Sequence, residues 1–517
     1  MREEGEALGR ECNALDVAIL LGPAVTIKRS PLCGRNFEYF SEDPYLAGKL
    51  AAAYINGLQS QNVGASLKHF ACNNQETARM SGSSELDERT LREIYLPAFE
   101  ISIRESQPWT VMCSYNKING TYASANKRLL TDILRDEFGF DGFVVSDWGA
   151  VHDRVAGVAA GLDLEMPFSG GETDAQIVKA VQDGTLNEAD LDKAVCRILR
   201  IVQKREESLG NKTDCDLQAN HDFAVKAESE SAVLLENNGL LPFREGMKAA
   251  YIGPFAKKPR YQGGGSSHIN PCKVTGAFEA ALAKGRDVSY SEGFPLEDLI
   301  DEALMESAVK AAQAADVAVI FAGLPDSFES EGYDRLHMRL PSVQNELIKR
   351  VTAAQPNTVV VLHNGSPVEC PWADNVASIL EMYLGGEGVG EAADLLLWGE
   401  ANPSGHLPES FPFKLADNPS FLNFPGQGGK VRYGEGIYAG YRYYDAKEMP
   451  VRWAFGHGLS YTDFEYSGAR VSANSMDDDT TVIVSVDVAN TGSREGKEVV
   501  MLFVSDETGT PGRHRKS

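Results

Sequence analysis

Long apolar runs, paired cysteines and positive charge are all scarce in this sequence, and each scarcity excludes a class of protein. No apolar run among the 517 residues approaches the roughly 20 that a bilayer-spanning helix needs. The N-terminus, Met1-Arg2-Glu3-Glu4-Gly5-Glu6, is acidic where a signal peptide would be basic and then apolar. A cytoplasmic protein is therefore expected. Lys and Arg number 49 against 74 Asp and Glu, a formal net charge of -25, which argues against nucleic acid or an anionic membrane as partner. The eight cysteines, Cys12, Cys33, Cys72, Cys113, Cys196, Cys215, Cys272 and Cys370, include no Cys-x-x-Cys pair. Neither a zinc site nor a disulfide framework is predicted, and no other metal or cofactor is expected. What remains, 43% hydrophobic and 24% charged, is the composition of a globular protein of about three domains. A homo-oligomer is compatible with all of this.

The stretch Gly-Phe-Val-Val-Ser-Asp-Trp-Gly at 142–149 organises the first region. Phe143, Val144 and Val145 are apolar on both faces, as a parallel strand buried between layers requires, and Asp147 follows where the chain must turn. Such an aspartate more often caps the next helix than does chemistry. Its surroundings reverse that reading. Strand signals at 15–21, 65–70, 110–115, 143–146 and 162–166 alternate with helix signals at 43–58, 87–104, 126–138, 174–182 and 187–205. Strict alternation implies parallel strands with helical crossovers. Lys68 and His69, Tyr115, then Asp147 and Trp148, and Glu165 fall at or near successive strand ends, where a (β/α) barrel builds its active site. Residues 1–205 are therefore expected to form a barrel domain. Five strands are readable rather than eight, so the first units are expected to be missing.

A polar linker is expected at 206–220. Residues 221–415 alternate again, with strands at 249–253, 317–323, 358–363 and 378–384 and helices at 302–314 and 342–353, which predicts an α/β sandwich. The glycine-rich stretches at 263–267 and 385–390 match no phosphate-binding spacing and are expected to be turns or points of close backbone approach. After a connecting segment at 416–446, residues 447–517 show strand patterns at 481–488 and 499–504 without helix signals, the start of a β-sandwich.

A second candidate site is Phe328-Glu329-Ser330-Glu331-Gly332-Tyr333-Asp334-Arg335, a loop at the carboxyl end of the 317–323 strand, where open α/β sheets place ligands. A carboxylate at a barrel mouth and another on a neighbouring loop form the layout of glycoside hydrolysis. One acid protonates the leaving oxygen and one carboxylate attacks the anomeric carbon.

The motifs Arg35-Asn36-Phe37-Glu38, Ser41-Glu42-Asp43-Pro44, Lys68-His69-Phe70, Ser146-Asp147-Trp148, Glu331-Gly332-Tyr333-Asp334-Arg335 and Asn402-Pro403-Ser404-Gly405 with Leu407-Pro408 resemble glycoside hydrolase family 3, specifically its β-glucosidases. The resemblance covers essentially the whole chain. It implies a barrel, an α/β sandwich and a partial fibronectin type III-like module, and retaining hydrolysis of terminal β-D-glucose from β-glucosides and cello-oligosaccharides. It implies Asp147 as nucleophile and Glu331 as acid/base, with Glu329 the alternative acid. Arg35, Lys68, His69, Arg79 and Tyr115 are implied to hold sugar hydroxyls, with Trp148 as apolar platform. The cations are expected to keep Asp147 ionised, and the less basic loop to let Glu331 keep its proton. The family's upstream Asp-Gly-Pro motif is absent from the chain, and the last module is cut short. A β-xylosidase, or a truncated sugar-binding protein without turnover, are the competing readings; Ala71-Cys72-Asn73-Asn74 after the Lys-His-Phe motif argues against a β-N-acetylglucosaminidase.

Overall fold

In the computed structural model, which describes residues 1–207, 215–475 and 480–504, the apolar runs of the first region become parallel strands covered by helices. Ile19–Leu20, Gly64–Phe70, Thr110–Cys113 and Phe143–Ser146 pair in that order, each with its predecessor. Every residue of the last three is buried. Helices Pro44–Ser60, Pro97–Ser106 and Arg128–Glu137 provide the crossovers. The start read at Asp43-Pro44 is observed: Asp43 Oδ1 accepts the Leu46 amide at 2.8 Å, and Pro44 sits in the first turn, where its missing N–H is not needed.

The strand expected at 162–166 is reduced to one bridge, Val145 to Leu164. A side chain has taken the place of backbone there. Asp163 Oδ2 accepts the Val144 amide at 2.7 Å while the same carboxylate pairs with Arg135 at 2.6 Å and Arg197 at 2.9 Å. Four strands and a bridge of the predicted barrel are thus observed, and no pairing among the described residues joins the two ends. A helix that the sequence reading missed, Arg2–Ala14, carries Gly5 and Gly9, each costing about 1 kcal/mol of helix propensity. Packing explains Gly5: a Cβ there would lie 2.3 Å from the Tyr54 carbonyl, and one on Gly57 2.1 Å from that of Arg2. The helices Arg2–Ala14 and Pro44–Ser60 meet backbone to backbone.

The second region is the predicted α/β sandwich. Six strands pair in the order Val288–Ser291, Ala249–Ile252, Val317–Gly323, Thr358–His363, Ser378–Glu381 and Val233–Asn237, all parallel except the last. Ile252, Ile320 and Leu362 pack into one apolar cluster and Tyr251, Phe321 and Val361 into another, the two faces of one sheet. Its edge strands were missed because Glu236, Asn237, Ser289 and Ser291 interrupt their apolar pattern.

In the third region Phe464–Val471 and Val484–Asn490 form an antiparallel pair. The strand expected at 499–504 is not formed; residues 476–479 and 505–517 of this region, and 208–214 of the expected linker, lie outside the described residues. The helix Leu217–Ser231 begins within the span read as linker. Among the described residues no helix is long and apolar enough to cross a membrane.

The connecting segment ties the regions together. Lys430–Arg432 adds a parallel strand to Ser83–Glu85, and Val431, Tyr433, Ile437 and Ala439 join the first region's core. Charges are buried across the same contact: Lys28 pairs with Glu409 at 2.6 Å, Arg29 with Glu435, and Glu42 accepts the amides of Ser410 and Tyr441. Removing one partner of such a pair costs about 3–5 kcal/mol, so these contacts fix the relative orientation of the two regions.

Close to Glu409 lies Glu381, fully buried, accepting from Asn364 Nδ2 at 3.0 Å and the Tyr383 amide at 2.8 Å. Burial pushes its carboxyl up to about 8. A carboxyl raised in the folded state contributes fully below its unfolded pKa, about 4.3, and that contribution is lost as pH rises through the folded value. Urea unfolding followed from about pH 5 to about pH 9 should show a decline in stability that Glu381→Gln lessens. An unchanged slope in the variant would assign the decline to other groups.

Candidate active site

Three parallel strands deliver their polar residues to one place. Lys68 and His69 lie in Gly64–Phe70, Tyr115 just beyond Thr110–Cys113, and Asp147 and Trp148 just beyond Phe143–Ser146. Pairing of Phe70 with Cys113 and of Cys113 with Ser146 sets these ends side by side. Asp147 donates its own amide to the Cys113 carbonyl at 3.2 Å. Its side chain is 8% exposed. Oδ1 accepts the Trp148 amide at 2.8 Å, and Oδ2 faces His69 Nε2 at 3.7 Å.

Burial raises the Asp147 pKa above the ordinary aspartate value; Arg35, the Trp148 amide, Tyr115 and Lys68 act in the other direction without outweighing it. The expectation that the cations would hold Asp147 low is corrected, because desolvation is the larger effect. His69 is kept neutral, its pKa well below the usual value through burial and the charges of Arg35, Lys68 and Arg79. Trp148, 42% exposed, leaves its ring accessible beside Asp147.

The cations are organised by carboxylates. Glu38 accepts from Arg35 Nε and lies 3.4 Å from Lys68 Nζ. Arg35 Nη1 reaches Glu331 Oε1 at 3.4 Å, and Arg79 Nη1 reaches the same oxygen at 2.8 Å. Arg79 also lies over the Tyr115 ring, 4.5 Å from its centroid. Tyr115, Arg79 and Glu331 are thus in direct contact, and the charge of Arg35 acts on both Asp147 and Glu331.

Glu331 reaches this cluster because its loop is docked onto the first region. Asp334 accepts the amides of Gly34, Glu76 and Thr77 at 3.1, 2.9 and 2.8 Å and the Thr77 hydroxyl at 2.6 Å. Arg335 donates its amide to the Leu32 carbonyl at 2.8 Å. The glycine-rich stretch at 263–267 forms the other wall. Glu331 Oε2 accepts the Ser266 amide at 2.7 Å, and Gly265, at φ +103°, leaves no room for a side chain: a Cβ would lie 2.3 Å from that of Glu331. Burial works to raise the Glu331 pKa, but Arg35, Ser266 and Arg79 overcome it and pull it down to about 2. This corrects the expectation of a proton held on a less basic loop. The loop is less basic, but its surroundings are not.

Glu329 is placed elsewhere. Fully buried, it accepts from Arg260 Nη1 at 2.7 Å, the Gly365 amide at 2.6 Å and Ser366 Oγ at 3.3 Å. Glu165, read near a strand end, accepts from Thr173 Oγ1 at 2.6 Å and faces Arg154 at 3.7 Å instead. Sequence reasoning missed Glu38 and Glu76 as members of the cluster. Their signal was the three-residue spacing to an arginine, Arg35 to Glu38 and Glu76 to Arg79, which alone is common on any helical turn. Among the described residues no group of three or more His, Cys, Asp or Glu is arranged to hold a metal.

Two carboxylates from separate regions, set among cations and a neutral histidine that can bond hydroxyls, make up the equipment of a glycoside hydrolase. Comparison with known proteins narrows this class. Residues 1–201 match the glycosyl hydrolase family 3 N terminal domain and residues 232–461 the glycosyl hydrolase family 3 C-terminal domain. The chain belongs to glycosyl hydrolase family 3. It is 55% identical to thermostable beta-glucosidase B of Acetivibrio thermocellus, over 99% of this chain and 68% of that one. It is 47% identical to an exo-alpha-(1->6)-L-arabinopyranosidase of Bifidobacterium longum, over 97% of this chain and 67% of that protein. Among solved structures, a GH3 beta-glucosidase of Bifidobacterium adolescentis superposes with a TM-score of 0.92 at 47% identity, covering 95% of this chain and 72% of that one. Beta-glucosidase 3B of Thermotoga neapolitana, in complex with glucose, superposes at 0.89 and 37% identity, covering 95% and 74%.

Gly265→Ala tests the fit between the glycine-rich loop and Glu331. The added methyl must move Glu331 off the Ser266 amide, so glycosidase kcat should fall by about 100-fold while the thermal midpoint changes little. A parent-like kcat would show that the loop yields without moving the carboxylate.

Proposed function

We propose that the chain is a β-glucosidase that releases non-reducing terminal glucose by retaining double displacement. The observation that carries this reading is the meeting of Asp147, at a strand end of one region, and Glu331, on a loop of the other, in one cationic cluster in which Arg35 acts on both. In the first step Asp147 Oδ2 attacks the anomeric carbon while Glu331 gives its proton to the departing glycosidic oxygen, leaving a glucosyl ester of Asp147. In the second, Glu331 takes a proton from water, whose oxygen attacks the same carbon and frees Asp147. Lys68, His69, Arg35 and Arg79 hold the ring hydroxyls, and Trp148 offers its face to the ring or the leaving group.

In the free site the two acids are tuned in reverse, Asp147 raised and Glu331 lowered, whereas the first step needs Asp147 ionised and Glu331 protonated. Sugar binding acts on the Glu331 half of this order. A hydroxyl that takes Arg35 loosens its 3.4 Å contact with Glu331, and displacement of water by the ring adds to the desolvation that raises a carboxyl. Glucose is favoured as the glycone by the beta-glucosidases among the relatives. The arabinopyranosidase relative favours a second, weaker activity on α-L-arabinopyranosides, whose ring lacks the hydroxymethyl group.

The test is release of aryl alcohol from aryl β-glucosides, α-L-arabinopyranosides and β-xylosides by the parent, Asp147→Asn and Glu331→Ala. The β-glucoside should be the best substrate. Asp147→Asn should lose at least about 10³-fold in kcat/KM. Glu331→Ala should lose activity mainly on poor leaving groups, and azide should restore turnover to give β-glucosyl azide. An α-linked azide product would contradict retention, and an active Asp147→Asn would remove Asp147 from its role. Sugar-dependent stabilisation without product would identify a binding protein instead.

A further inference from the structure

One carboxylate of the cluster has no part in the chemistry above. Glu76 is buried in the loop after the Gly64–Phe70 strand. Its Oε2 accepts from Arg79 Nη1 at 2.7 Å and from the Gly332 amide at 2.8 Å. The same Arg79 Nη1 donates to Glu331 Oε1 at 2.8 Å. One guanidinium nitrogen thus bridges two carboxylates, and Glu76 also holds the peptide that follows Glu331. Its position is fixed, because its own amide is bound by Asp334 at 2.9 Å.

We propose that Glu76 is a positioning residue for Glu331, a role that rests on the acid/base assignment just made. It keeps Arg79 paired during the step in which Glu331 carries a proton. An ionised Glu331 competes well for Arg79, but a protonated one is a much weaker acceptor. The guanidinium then needs another anion, and Glu76 provides one without movement. With Glu76 made neutral, Arg79 would be left to Glu331, and Glu331 would give up its proton at lower pH.

The charged and titratable groups that face Glu76 are Arg79 and Arg35, with Asp334, Cys33 and Tyr39. Burial is the strongest influence on Glu76 and pushes it up to about 7 against the pull of the two arginines. It is therefore ionised on the alkaline side of neutrality, where loss of the Glu331 proton limits turnover.

The experiment compares kcat against pH for the parent and Glu76→Gln on two substrates. Phenyl β-glucoside needs a proton on its leaving group; 2,4-dinitrophenyl β-glucoside does not. In Glu76→Gln the alkaline limb for the phenyl substrate should move down by about one pH unit, roughly tenfold in rate at the upper end, with the dinitrophenyl rate near the parent's. Glu76→Asp, which keeps the charge, should restore most of the parent's limb. An unmoved limb, an equal loss on both substrates, or an Asp variant as shifted as the Gln variant would overturn the proposal. If Glu331→Ala shows acid/base behaviour with azide while Glu76→Gln shows no shift, only the role of Glu76 fails. If Glu331→Ala loses both substrates equally, the acid/base reading fails and this proposal with it.

Discussion

Asp334 accepts four hydrogen bonds, from the amides of Gly34, Glu76 and Thr77 and the hydroxyl of Thr77. Every donor belongs to the first region and the acceptor to the second. Bonds to an ionised carboxylate are the strong ones, and here they lie three residues from the carboxylate assigned to proton transfer. With the Arg335 amide on Leu32 and the Gly332 amide on Glu76, they bring Glu331 within 2.8 Å of Arg79, some 252 residues away in the chain. The site is therefore a property of the docking and not of either region alone. This also accounts for the glycine at 265: two backbones and a carboxylate converge where the loops close, and a side chain there has no space.

The electrostatics follow from what each carboxylate finds after docking. Asp147 is sunk at a strand end, accepts from one amide and has its cations at a distance; burial prevails and its pKa rises. Glu331 lies in a comparably basic cluster but accepts directly from Arg79, from Arg35 and from the Ser266 amide, and these donors prevail over burial. The difference lies in direct bonds to the charged form, which outweigh desolvation where they are several and close. Net charge is no guide to this. A chain with an excess of acid residues has gathered three cations around the two carboxylates, and Glu38 and Glu76 hold those cations in place.

The parallel strands were legible because helices cover both faces, and such strands read as continuous apolar runs. Asp147 was legible for the same reason, since the end of such a run is a definite place in a barrel. The 162–166 strand failed where Asp163 substitutes a carboxylate for a backbone carbonyl, a swap invisible to hydrophobic pattern. Arg2–Ala14 failed because its glycines read as breakers while serving as contact points with the Pro44–Ser60 helix. Glu329 and Glu331, two residues apart in one loop, could not be separated by spacing. They are separated by Arg260 and Gly365, which occupy Glu329 inside the second region, and by the groups across the interface that receive Glu331. The protonation balance was misjudged for a related reason: the sequence shows which charges exist, but not which of them touch.

The composition of the cluster also bears on why one framework serves glucosidases and an arabinopyranosidase among its relatives. Lys68, His69, Arg35 and Arg79 can hold hydroxyls, which both sugars carry around the ring. None of them is apolar, and Trp148, beside Asp147, presents a half-open ring face. The hydroxymethyl group carries a hydroxyl of its own, and a site that bonds a substrate hydroxyl rejects the analogue without it far more strongly than an apolar pocket rejects a missing methylene, which is worth about 1–3 kcal/mol. On the reading proposed above, a change in whatever group bonds that hydroxyl alters glycone choice while the contacts of Asp147 and Glu331 stay as they are.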